Sequence, residues 1–188
     1  MHGLIKVAAV SFRLEIREML QRYVGGVLKG IAQVSAVTTE EALEGKYDLY
    51  VVYTMGTVFK QLTQKVDPEK IIPVDLFPIP TGMKKVLAIP EGSNVGVVAG
   101  HLWDAADFLA QLVQVGVRNY QFSTATPNTI LTMDVDWYIV PEEIAPYVKL
   151  DNNKSKKIVV VPRTLEPRTV SRIITEALKI KQILNNKT

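Results

Sequence analysis

Short apolar runs rich in valine and isoleucine alternate with amphipathic stretches along nearly the whole chain, and this alternation constrains the fold most. The runs fall at 4–10, 31–37, 48–53, 71–76, 95–99, 119–122, 137–140 and 157–161. Most are continuously apolar rather than alternating, which marks strands buried on both faces of a parallel sheet. Between them apolar residues recur at helical spacing, as in Ile16, Leu20, Tyr23, Val24 and Val27, and again in Phe108, Leu109, Leu112 and Val113. Strand and helix in alternation predict an α/β fold with crossover helices.

The alternation breaks once near the middle. "DLFPIPTGMKK" (75–85) carries two prolines and a glycine, and "AIPEGSN" (88–94) soon follows. Proline ends a strand and pushes the chain into extended or turn geometry. Similar numbers of strands flank the break, so the expectation is two Rossmann-like lobes with mainly parallel sheets, an interlobe cleft and a C-terminal helix. The boundaries expected are 1–76 and 77–165 for the lobes and 166–188 for the helix. The halves show no sequence repeat, and "KLDNNKSKK" (149–157) reads as a surface loop. In the last segment Val170, Ile173, Ala177, Ile180 and Leu184 follow a 3-4-3-4 spacing. A terminal helix packing back on the first lobe is expected there, in preference to a coiled coil, with a further C-terminal region beyond it.

Composition removes several kinds of chemistry. The chain has no cysteine, so disulfides, thiolate metal sites and cysteine nucleophiles are excluded. Its two histidines, His2 and His101, lie far apart in sequence and announce no metal site. The net charge of +3 is spread along the chain rather than gathered in a stripe, so no nucleic-acid contact is expected. No apolar run approaches the roughly 20 residues that span a bilayer, and the N-terminus lacks the plan of a signal peptide. A cytoplasmic location without membrane contact is the expectation.

Open α/β sheets bind ligands beyond the carboxyl ends of their strands. The turns expected there are Ser11-Phe12-Arg13, Thr54-Met55-Gly56-Thr57, 77–82, Gly100-His101-Leu102-Trp103, 123–126 and Pro141-Glu142-Glu143. Hydroxyls and glycines dominate, which suits an anion or polar molecule held by backbone N–H groups at helix N-termini. The same residues also cap helices and make turns, and singly each reads better that way.

Catalytic patterns are missing. The acidic pair and aspartate of a phosphorylation receiver are replaced by Ser11-Phe12 and Tyr53-Thr54, and neither a Gly-x-Gly-x-x-Gly nor a Walker lysine occurs. The paired cysteines of two-lobed racemases are absent as well. His101 near Asp104 or Asp75 is the one enzymatic reading, as a small isomerase or lyase. Glu142-Glu143 reads as the acidic opening of a helix, Asp75 as a turn former, and Asp134 and Asp136 as solvated strand-edge residues.

Several segments together carry a resemblance: "YTMGT" (53–57), "IPVDL" (72–76), "NVGVVAGHLWDAADFLAQLVQVGV" (94–117), "DWYIVPEEIAPYV" (136–148) and the terminal helix. Nearly the whole chain resembles the N-terminal sensory domain of propionate-catabolism-activator-like, sigma-54-dependent transcriptional regulators. The resemblance implies two lobes with a small ligand between them, and it carries over Gly56, Thr57, Gly100 and His101 as ligand contacts. Met55 stands where members often have another glycine. Ser11 and Thr54 join the candidate site from the strand-end argument alone. The expected function is ligand sensing without catalysis, metal or cofactor, and the expected partners are a small-molecule effector and a second copy of the chain.

Overall fold

A computed structural model describes residues 4–54, 58–149 and 156–186. It divides into two units, Met1–Leu76 with Leu165–Thr188, and Phe77–Thr164. Each is a Rossmann-like α/β unit built on a four-stranded sheet.

The first unit runs β1 (Ile5–Val10), α1 (Leu14–Val27), β2 (Ala32–Val37), α2 (Thr39–Glu44), β3 (Leu49–Tyr53), α3 (Val58–Thr63) and β4 (Ile71–Val74). Its strands are all parallel, in the order β2-β1-β3-β4. The two central strands are buried on both faces except at the exposed Lys6 near the start of β1, which is why their sequences read as mainly apolar runs. Val7, Ala9, Val51 and Tyr53 meet Ile16, Leu20 and Val24 of α1 on one face. Ala8, Val10, Tyr50 and Val52 meet Ala42 of α2 and Val58 and Leu62 of α3 on the other. Pro73 is tolerated because β4 lies at the sheet edge, where a ladder N–H is not required. The six-residue α2 relies on a capping box, in which Thr38 Oγ1 accepts from the Glu41 N–H and Glu41 Oε2 accepts from the Thr38 N–H.

The predicted strand at 71–76 is interrupted at Asp75. Beyond it, β5 (Leu76–Pro78) leaves the sheet and pairs instead with β10 (Arg163–Leu165). The final helix, α6 (Pro167–Asn185), buries Ile173 and Ala177 in the first unit's core beside α1.

The second unit contains α4 (Pro80–Leu87), β6 (Asn94–Val98), α5 (Leu102–Gln114), β7 (Gln121–Ala125), β8 (Trp137–Pro141) and β9 (Lys157–Val161). Its sheet is again parallel, in the order β7-β6-β8-β9. Relative to chain order this is the arrangement of the first unit, although the halves share no sequence repeat. Val86 of α4 and Phe108 and Leu112 of α5 cover one face. The other is closed by Ile130, Val135 and Ile144 from loop and 3₁₀ segments rather than by full helices.

Three local expectations are corrected here. The proline-rich segment 77–82 is not only a turn, because α4 starts within it. Pro80 takes the first helical position, where its missing N–H costs nothing. The sixth strand runs three residues further than expected, so Ser123 and Thr124 lie inside β7 and not beyond its end. Glu142-Glu143 opens no α-helix; a turn follows β8, then a single 3₁₀ turn at Ala145–Tyr147.

Candidate functional site

In each unit the chain leaves the first strand toward one neighbour and later returns a strand on the other side. The loops at the carboxyl ends of these two adjacent strands therefore diverge to opposite faces and leave a crevice, the usual ligand position of such sheets. In the first unit this switch point lies between β1 and β3. Helix α1 goes to one face and α3 to the other.

Ser11 follows β1 and is buried. Its N–H donates to the Val37 carbonyl and its Oγ accepts from the Arg13 N–H at 3.2 Å. That bond spends the hydroxyl's acceptor role on shaping the turn into α1. Arg13, the residue before the helix, is buried too, and its Nε donates to Glu15 Oε1 at 2.7 Å. Its guanidinium is thus neutralised by its own helix and is not a free cation for a ligand. No side chain caps α1. Phe12 and Leu14, on either side of Arg13, are exposed.

Thr54 follows β3. Its N–H donates to the Val74 carbonyl at 3.1 Å, and its hydroxyl donates to the Asp75 carboxylate at the end of β4. The Thr54 proton is engaged, so this corner presents acceptor oxygens and negative charge. Met55, Gly56 and Thr57 lie outside the described residues.

In the second unit the switch point lies between β6 and β8. Ala99 ends the ladder by donating to the Ala125 carbonyl, and Gly100 and His101 lead into α5. His101 stands at the N-cap position without capping through its side chain. It is exposed, and among the described residues its side chain has no hydrogen-bond or ion-pair partner. Leu102 and Trp103 in the first turn are exposed, Trp103 to 75%. The next residue, Asp104, points the other way and is 3% exposed.

Behind this edge lies a buried charged group. Glu143, in the turn after β8, accepts from Arg163 at the start of β10, and the two side chains are only 2% and 3% exposed. The Arg163 guanidinium also lies 5.3 Å from the centre of the Phe108 ring, one turn along α5 from Asp104. Arginine suits such a place, because its flat guanidinium can bond a carboxylate while stacking on an aromatic face. Sequence reasoning missed Arg163 altogether and read Glu143 as part of the acidic opening of a helix. An arginine inside the apolar run "VVVPRTL" was the available signal.

Of the candidate residues, the structure places Ser11 and Thr54 at the switch point of the first unit, and Gly100 and His101 at that of the second. Among the described residues no group of acids and histidines is arranged to hold a metal ion. No described helix is long and apolar enough to cross a membrane. No protein-family model, no curated protein and no solved structure matches the chain.

Proposed function

We propose that the chain is the ligand-sensing, signal-input domain of a bacterial transcription regulator of the sigma-54-dependent kind, and that it takes up a small polar or anionic metabolite at the carboxyl ends of its strands. One repeated observation carries the reading. In both units the helix leaving the first strand starts at the switch point without a side-chain cap, and its first turn exposes large apolar residues. Uncapped helix N-termini leave backbone N–H groups for a ligand's anionic oxygens, and the helix dipole favours negative charge there. Asp75, by contrast, suits a ligand hydroxyl or amine.

The alternative, an isomerase or lyase working through His101, gains no support. A catalytic histidine is oriented by a neighbouring group, and His101 has none among the described residues.

A thermal-shift screen with small carboxylates and sugar phosphates tests the proposal. A ligand at 100 times its Kd adds about 2.7 kcal/mol of stability. For a chain of this size that raises Tm by about 5–10 °C. No shift with any compound of a broad panel at millimolar concentration would overturn the proposal.

A further inference from the structure

The buried Glu143–Arg163 pair joins two parts of the chain with different tasks. Glu143 belongs to the turn after β8, at the edge where the second unit offers its candidate site, and its neighbour Glu142 is exposed. Arg163 begins β10, the segment that carries the chain on to Pro167, where α6 starts. Phe108 supports the guanidinium from α5, the helix that follows His101 and holds Trp103 in its first turn. Among the described residues Glu143 Oε2 has no hydrogen-bond partner, so this carboxylate keeps an acceptor in reserve.

We propose that the Glu143–Arg163 pair is a latch that fixes the segment leading into α6 to the candidate ligand edge of the second unit. The latch rests on the signal-input reading. A ligand that moves the turn after β8 or the first turn of α5 alters the hold on Arg163, and the chain carries the change into the start of α6. The latch is a two-way element because a buried charge tolerates no half-measure: separating the pair leaves the Glu143 carboxylate desolvated and without another hydrogen-bond partner among the described residues. Downstream, Ile173 and Ala177 are anchored in the first unit's core. The change is therefore confined to residues 163–170, where the Val170 N–H donates to the Glu166 carbonyl.

Amide hydrogen exchange on the full chain, without any ligand, tests the latch. Glu143→Gln keeps the side chain's shape and removes its charge. It is expected to speed exchange at residues 163–170 at least tenfold, with amides 95–98 and 173–184 within about twofold of the unsubstituted chain. Arg163→Lys keeps the charge but loses the fork and the ring contact, and is expected to give the same local pattern more weakly. Combining the two substitutions is expected to produce less than the product of their separate effects, because both act on one contact. Faster exchange spread evenly over β6, β8 and β9 would overturn the proposal, since the pair would then be an ordinary part of that unit's core. Unchanged exchange at 163–170 in both single variants would overturn it as well. Because no ligand is present, either failure leaves the outcome of the thermal-shift screen untouched.

Discussion

Replacing Gly96 by alanine is expected to destabilise the second unit, by an amount that follows from one contact. Gly96 in β6 is the register partner of Tyr138 in β8. A Cβ on Gly96 would come 2.8 Å from Tyr138 Cδ1 and 2.9 Å from Cε1. The ring would have to retreat by about 0.6 Å to regain the ordinary 3.4 Å separation. It has little freedom to do so, because Tyr138 is fully buried and its hydroxyl donates to the Ile130 carbonyl at 2.6 Å. Overpacking of this kind costs about 1–3 kcal/mol. Alanine also restricts the unfolded chain more than glycine does, which offsets roughly 0.4–1 kcal/mol. The net loss is about 1–2 kcal/mol, or a Tm lower by about 2–8 °C. Urea and thermal unfolding of the two proteins, side by side, measure it. In a Tyr138→Leu background the same Gly96→Ala change is expected to be neutral or favourable, because the ring is gone. A neutral or stabilising effect in the unsubstituted chain would refute the reasoning and with it the register of β6 against β8.

Two further outcomes are expected. Tyr120 donates from its hydroxyl to the Val86 and Ile89 carbonyls, and burial, followed by the nearby Glu91 charge, raises its pKa above the ordinary 10.0. The folded state therefore holds this proton more tightly than the unfolded state, so the contribution is complete below pH 10 and is lost as pH rises through the folded-state value. Urea midpoints measured across that alkaline range should fall in the unsubstituted chain and fall less steeply in Tyr120→Phe, which should also be less stable by about 1 kcal/mol at neutral pH. Thr38→Ala removes half of the capping box of α2 and should cost about 1 kcal/mol in the urea midpoint, whereas Thr38→Ser should cost a few tenths at most.

The strands were legible because parallel strands buried on both faces leave unbroken apolar runs. The run expected at 157–161 coincides with β9, and most of the others differ from the observed strands by one residue at an end. Where prediction failed, a local rule was overridden by packing. Proline and glycine in "PIPTGMKK" argued against a helix, yet Pro80 starts α4. A Cβ on Gly82 would come 2.9 Å from Pro162 Cδ and 3.0 Å from Val161 Cγ1, a close approach that no local pattern reveals. The three-residue strands β5 and β10 are too short to leave a periodic signal. In the site, the strand-end rule located Ser11, Thr54, Gly100 and His101 because topology alone decides which turns face the crevice. The roles of Glu143 and Arg163 depend on side chains brought together from Phe108, Glu143 and Arg163, far apart in the chain. No sequence spacing encodes that meeting.

The central claim, that the strand-end turns hold a ligand, is tested most directly by an amide NMR titration. Succinate, pyruvate and glucose 6-phosphate, added separately to isotopically labelled protein, cover the dicarboxylate, keto-acid and phosphate chemistries. Saturable shifts with at least one of them are expected, concentrated at residues 11–14 and 99–104, where the uncapped helices α1 and α5 begin. Saturable shifts centred elsewhere, on α2 or at the amino ends of the strands, would contradict it.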